Sequence, residues 1–159
     1  MTDAPVPATS PLDPEAERRV AAALYNHVWD LLETIDRTPV QDEDLVHAAH
    51  ASRWHWGVIG GPEQRVVGDW QVSRAYAAVG RGGPAVHYAR LAVAGAQAYD
   101  AAPGWLAASA TEGLARALLA DGDVVAAREA ADRARELLVG VADAEDRDLV
   151  ASQLAELDL

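Results

Sequence analysis

The sequence predicts an all-α fold, an antiparallel helix-turn-helix array of about seven helices. Apolar residues recur every three or four positions, which places them on one face of a helix. No segment alternates apolar and polar residues with a period of two over the length of a strand. Prolines and glycines divide the chain into segments that are each long enough for one helix.

The first helix is predicted to run from Pro14 to about Arg37. Asp13 is a suitable N-cap residue, and proline is favoured at the first helical position. Thr38-Pro39 ends the helix, because the residue before proline avoids helical geometry. The apolar stripe of this helix consists of Val20, Leu24, Val28, Leu31 and Ile35.

The other six helices are predicted between further proline and glycine breaks. Three acidic residues, 42–44, open helix 2 and suit the positive end of a helix dipole. Gly60-Gly61-Pro62 ends helix 2 and starts helix 3. The predicted bounds of helices 2 to 7 are about 42–58, 62–79, 84–99, 105–121, 123–139 and 143–157.

Composition limits the classes of function. The net charge of −12 argues against nucleic acid and against an anionic membrane surface, since both are bound by clustered basic residues. No cysteine, no signal peptide and no apolar run of membrane-spanning length is present, so a cytoplasmic protein is expected. Abundant alanine and arginine with no lysine indicate a bacterial genome rich in G and C. Residues 1–13 are expected to form a flexible tail, and residues 14–159 a single helical domain.

A period of 42 residues relates helices 3 and 4 to helices 5 and 6. The residues Tyr76, Gly80, Ala85, Ala89 and Ala92 recur as Leu118, Gly122, Ala127, Ala131 and Ala134. These spacings over residues 66–139 resemble the tetratricopeptide repeat, a helix-turn-helix unit with small residues where its helices touch. Separately, residues 44–92 are similar to a recurrent group of small helical bacterial proteins, and that resemblance implies no activity.

The tetratricopeptide resemblance implies a concave groove. In that register the groove positions are Val67, Trp70, Arg74, Ala77 and Ala78 on helix 3, and Ser109, Glu112, Arg116, Leu119 and Ala120 on helix 5. Because Trp70 and Arg74 are four residues apart, the guanidinium can lie over the indole and present its donors to an acidic ligand. An ordinary surface stacking pair is the alternative interpretation. Gly68, inside the same helix, permits either a close helix approach or room for a ligand.

Helix 2 concentrates the groups that can ligate, protonate or stack. Residues 44–56 contain three of the five histidines and two of the five tryptophans. His47 and His50 lie one turn apart, at a separation that allows two imidazoles to share a transition metal ion. His55 points elsewhere, so further ligands have to come from a neighbouring helix, where His27 and Asp30 are available. Whether a cofactor is present is left open by the sequence.

Three interpretations of this histidine segment are open: hydrogen-bonded packing residues, a polar ligand pocket, and a metal site. The preferred hypothesis is a binding protein for a small organic molecule or peptide. Its pocket or groove is expected between helices 2 and 3, lined by His47, His50, Trp54, His55, Trp56, Trp70 and Arg74. One alternative is an enzyme that uses His47 and His50 as metal ligands or as acid and base. A second is an adaptor that grips a partner protein along helices 3 and 5. The sequence predicts no oligomeric state.

Overall fold

The computed structural model describes residues 9–159, and this part of the chain contains seven α-helices and no strand, which confirms the all-α prediction. The helices are α1 (Pro14–Glu33), α2 (Pro39–Ile59), α3 (Pro62–Ala78), α4 (Gly82–Ala98), α5 (Gly104–Ala120), α6 (Val124–Leu138) and α7 (Ala144–Ala155). Within residues 9–159, no helix combines the length and the apolar character needed to cross a membrane.

The connection between α1 and α2 is where the helix boundaries differ most from prediction. Helix α1 ends at Glu33 instead of Arg37, and Asp36 adopts a left-handed conformation with φ of 59°. Helix α2 begins at Pro39 rather than Asp42, because the side chain of Thr38 caps it and exchanges reciprocal hydrogen bonds with Gln41. The same start signal, a capping side chain followed by proline, begins α1.

Consecutive helices pack against each other, and α3 lies at the centre of the array. It contacts α1, α2, α4 and α5, whereas α7 packs on α5 and α6. A hydrophobic cluster built on α4 to α7 fills one end of the molecule, and a second cluster joins α1, α2 and α3. Because α3 has neighbours on all these sides, it forms the floor of the sites described below.

The two turns that the 42-residue period relates have the same backbone geometry. Gly80 and Gly122 both adopt positive φ, at 72° and 87°. At the first turn the Arg81 N–H donates to the Tyr76 carbonyl at 2.9 Å, and at the second the Asp123 N–H donates to the Leu118 carbonyl at 3.0 Å. Both are glycine-terminated helix ends of the Schellman type. The three recurring alanines of α4 and their counterparts in α6 are all fully buried: Ala85, Ala89, Ala92, Ala127, Ala131 and Ala134.

The segment before α1 contacts the body of the protein where it is described. The Ser10 hydroxyl donates a 2.6 Å hydrogen bond to Oε2 of Glu17, whose side chain is buried at the start of α1. Residues 1–8 of the tail predicted over 1–13 lie outside the described residues. The hydrogen bond links Ser10 to the first turn of α1.

Candidate functional site

The seven residues predicted to line one pocket between helices 2 and 3 are distributed over several parts of the molecule. His47 and Trp54 are exposed on α2, and Trp54 retains 45 % of its accessible surface. His50 and His55 contact different neighbouring helices, whereas Trp56, Trp70 and Arg74 face a groove on another side of α3. The structure therefore brings Trp70 and Arg74 into contact and places Trp56 in a neighbouring cavity, whereas the histidines and Trp54 lie elsewhere.

His50 is a packing residue between α2, α3 and α4. Its Nε2 atom hydrogen-bonds the Tyr76 hydroxyl at 3.0 Å. Its ring meets those of Tyr76 and Tyr88 edge to face, at centroid distances of 5.5 and 5.2 Å. Burial, together with the nearby charge of His47, lowers the pKa of His50 and favours the neutral ring. Burial is also the main cause that raises the pKa of Tyr88.

His55 joins α2 to the first turn of α1. Its Nδ1 atom hydrogen-bonds Oε1 of Glu17 at 2.5 Å, and the other carboxylate oxygen accepts from Ser10. The hydrogen bond from Ser10 is the main cause that lowers the pKa of Glu17, and the contact with His55 acts in the same direction against burial. This chain of contacts fastens the start of α1 to α2.

The ligands suggested for a metal ion are not gathered in one place. His27 forms an exposed pair with Asp44, with 2.7 Å between Nε2 and Oδ2, and His50 is engaged with Tyr76. Within residues 9–159, no group of three or more histidine and acidic side chains is arranged to hold a metal ion. His47 and His50 therefore have no third protein ligand in this part of the chain.

Gly68 permits the close approach of α2 to α3. A Cβ atom at this position would lie 2.3 Å from Cδ of Arg53, so only glycine leaves room for that side chain. Arg53 reaches across to Asp69, with Nε 2.7 Å from Oδ1 and Nη2 3.4 Å from Oδ2. The geometry explains the close helix approach, and Gly68 also lines a cavity beside Trp56.

The candidate site is the groove floored by α3, which we call the α3 groove. Its walls come from α1, α5 and α7, with a contribution from α2 at one end. All five α3 positions predicted to face a groove line its cavities, as do Ser109, Arg116, Leu119 and Ala120 on α5. Nine of the ten positions expected to face a groove therefore line these cavities, and α2 contributes to the cavity at one end only.

Three cavities follow one another along this groove. The aromatic cavity, about 250 Å³, is lined by Trp29, Trp70 and Trp105 among mainly apolar side chains. The arginine cavity, about 360 Å³, contains Arg74 and Arg116. The Trp56 cavity, about 280 Å³, shares Tyr25, Val67 and Trp105 with the aromatic cavity.

Arg74 lies at the junction of the aromatic and arginine cavities. Its guanidinium carbon is 5.5 Å from the ring centroid of Trp70, as the spacing of four residues predicted, and 5.2 Å from that of Trp29 on α1. The two indoles are themselves 5.9 Å apart. Burial is the largest cause that lowers the pKa of Arg74, and the charge of Arg116 adds to it. The guanidinium is thus held by aromatic rings on two helices rather than by surface stacking on one.

Arg116 organises the polar end of the groove. Its Nη2 atom donates to Oε1 of Glu112 at 2.7 Å, to the Gln153 carbonyl at 3.0 Å and to Oε2 of Glu156 at 3.1 Å. The same Glu156 oxygen is 3.6 Å from Nη2 of Arg74. Two arginines therefore converge on one carboxylate oxygen supplied by α7.

Some buried polar atoms in this region have no hydrogen-bond partner among residues 9–159. They are Nη1 of Arg74, Oε2 of Glu112 and Nε1 of Trp70, together with Oε1 of Gln71 elsewhere on α3. A buried donor or acceptor without a partner costs free energy.

Sequence reasoning did not identify Tyr25, Trp29, Trp105 and Glu156 as residues of the site. Tyr25 and Trp29 are one turn apart on α1 and meet edge to face at 6.5 Å, a pairing that an aromatic spacing of four could have suggested. No local signal marks Glu156, which reaches the groove only through the packing of α7. Comparison of the chain with protein-family models, with curated proteins and with solved structures gave no match.

Proposed function

We propose that this chain is a binding protein whose α3 groove holds a small organic or peptide ligand with an acidic group. The observation that carries the proposal is the state of Arg74. Its guanidinium is stacked against Trp29 and Trp70, it borders a cavity, and its Nη1 atom is buried without a partner among residues 9–159. Because the stacking fixes the orientation of the guanidinium, its Nη2 atom, which already lies 3.6 Å from the Glu156 carboxylate, can donate to a ligand carboxylate with little further ordering.

The position beside Arg74 already accommodates a carboxylate. Oε2 of Glu156 lies within 4 Å of both Arg74 and Arg116, although half of the Glu156 side chain is exposed. A ligand carboxylate can take the place of this half-exposed carboxylate and accept from both arginines. Charge-assisted hydrogen bonds contribute about 1.5–3 kcal/mol each.

The aromatic cavity supplies the apolar half of the ligand site. Three tryptophans contribute to its lining, and pockets for small molecules are typically apolar with a few placed polar groups. Because each cavity is small, the ligand is expected to extend across the junction at Arg74. Its apolar part then contacts indole rings and its acid contacts the arginines.

The proposal also includes the repeat class of the fold, the class of partner and the location of the protein. The equivalent turns at Gly80 and Gly122 support a tetratricopeptide-like repeat, and the groove on its α3–α5 face is the surface that such repeats use. The net charge of −12 supports a partner other than nucleic acid. We place this protein in the bacterial cytoplasm. Compared with the pocket expected from the sequence, the proposed site excludes the histidines and adds residues from α1 and α7.

The proposal is tested with 3-phenylpropionate, a soluble aromatic acid, and with 3-phenylpropanamide, its uncharged counterpart. Binding is followed by the tryptophan fluorescence of the full chain. We expect the acid to bind more tightly than the amide and Arg74→Gln to weaken the acid about 10- to 100-fold, the equivalent of one charge-assisted hydrogen bond. Glu156→Gln is expected to tighten binding of the acid, because it removes the competing carboxylate.

The control is Arg128→Gln, which removes an exposed arginine on α6, outside the groove. It should leave binding of the acid unchanged. The proposal would be contradicted if the acid and the amide bound the original protein with equal affinity. It would also be contradicted if the acid bound the Arg74→Gln variant as tightly as it binds the original protein.

A further inference from the structure

The end of the α3 groove away from the arginines has a different chemistry. The Trp56 cavity is bounded by aromatic side chains from three helices: Tyr25 on α1, Trp56 on α2 and Trp105 on α5. All three are partly buried, so part of each ring remains accessible from the cavity. The carboxylate of Glu63, in the first turn of α3, belongs to the same lining.

No basic side chain lines this end of the groove. Neither the Trp56 cavity nor the adjoining aromatic cavity includes an arginine among its lining residues, and the sequence contains no lysine. Arg53 lies beside Gly68, but its charge is matched by Asp69. Glu63 takes part in none of the ion pairs formed within residues 9–159. The charged side chains that line these two cavities are therefore carboxylates, Glu63 in the Trp56 cavity and Asp146 in the aromatic cavity.

We infer that the Trp56 cavity binds a substituted ammonium group of the ligand. Aromatic faces attract a cation through the ring quadrupole, and several faces around one cation give selectivity for alkylated ammonium groups. A carboxylate beside the rings balances the charge, whereas an ordinary apolar ligand would leave Glu63 partly desolvated without compensation. The inference rests on the proposed function, since it assigns the opposite end of the same ligand.

The two ends of the groove fix the length of such a ligand. Glu63 and Arg74 are eleven residues apart on α3, which corresponds to about 16 Å along the helix axis. An extended peptide covers that distance in about five residues. The ligand class is accordingly an elongated zwitterion, with its ammonium group at Trp56 and its acid at Arg74.

The experiment uses choline and its uncharged isostere 3,3-dimethylbutan-1-ol as probes of the full chain. Binding is read from the indole N–H signals of the five tryptophans in NMR spectra, with ionic strength matched by sodium chloride. We expect choline to bind at least about tenfold more tightly than the isostere, because the two molecules differ mainly in charge. Glu63→Gln should weaken choline several-fold and leave the isostere unaffected.

A matched pair of tryptophan variants locates the site. Trp56→Leu should abolish choline binding, whereas Trp54→Leu, two residues earlier on α2, removes an exposed tryptophan and should preserve it. Should Trp56→Leu fail to fold, the comparison of choline with its isostere and the Glu63→Gln variant still decide the question. The inference would be overturned if choline did not bind, or if choline and the isostere bound equally. It would also be overturned if binding of choline were lost only in Trp54→Leu. Since 3-phenylpropionate reports on Arg74 and choline on Trp56, failure at one end is distinguishable from failure at the other.

Discussion

His50 and His47, one turn apart on α2, allow a direct test of whether the histidines act through packing. His50 makes a hydrogen bond with Tyr76 and two edge-to-face contacts, with Tyr76 and Tyr88, whereas His47 is exposed. The hydrogen bond contributes about 0.5–1.5 kcal/mol and each aromatic contact a similar amount. Allowing for partial exposure, we expect His50→Ala to lower the free energy of unfolding by about 1.5–3 kcal/mol. His47→Ala should change it by less than about 0.5 kcal/mol.

The same pair has a predicted pH dependence. Because burial lowers the pKa of His50 below its usual 6.5, the neutral ring contributes stability that is fully present above pH 6.5. That contribution is lost as the pH falls through the pKa of the folded state. The difference in stability between the original protein and His50→Ala should therefore be largest near pH 7.5 and shrink on acidification.

The assay is urea denaturation followed by helical circular dichroism at several pH values between about 5 and 7.5. His47→Ala serves as the control for loss of one imidazole from the same helix. Equal urea midpoints for the two variants would refute the packing role of His50. A difference that grows toward acid pH would refute the pKa argument while leaving the contacts in place.

Three further predictions concern stability elsewhere in the array. Glu17→Gln should make the stability of the protein less sensitive to acid. The lowered pKa of Glu17 contributes stability that is present above about pH 4.5 and is lost below it. Acid titrations followed by circular dichroism compare the Glu17→Gln variant with the original protein. Ala127→Leu should lower the free energy of unfolding by about 1–3 kcal/mol through overpacking of a fully buried site, and an unchanged urea midpoint would contradict the helix contact there. Gly113→Ala places a Cβ atom 2.5 Å from Cδ1 of Trp70, so it should destabilise the protein and alter its tryptophan fluorescence. Gly83→Ala, with open space around it, should be neutral or stabilising by up to about 1 kcal/mol. Urea denaturation of both variants checks this difference.

Local signals in the sequence were sufficient to predict the seven helices and most of their boundaries, but not the connection between α1 and α2. Proline after a capping residue, and glycine where φ must be positive, act within a few residues and need no tertiary partner. They located the start of α1 and the turns at Gly80 and Gly122. The resemblance to the tetratricopeptide repeat also implied the face of α3 that carries Val67, Trp70 and Arg74, and these residues line the cavities.

Only the tertiary structure determined which helices meet that face. Trp29 reaches Arg74 from α1, and Glu156 reaches it from α7, more than eighty residues further along the chain. Many contact surfaces here are alanine, which packs equally well against several partners, so local pattern does not select the neighbour. The α2 histidines show the same limit, since His47 and His50 share a helix face while only His50 meets the tyrosines of α3 and α4. Whether a polar side chain is exposed, packed or part of a site depends on the helix opposite it, and that is decided by the packing of the whole array.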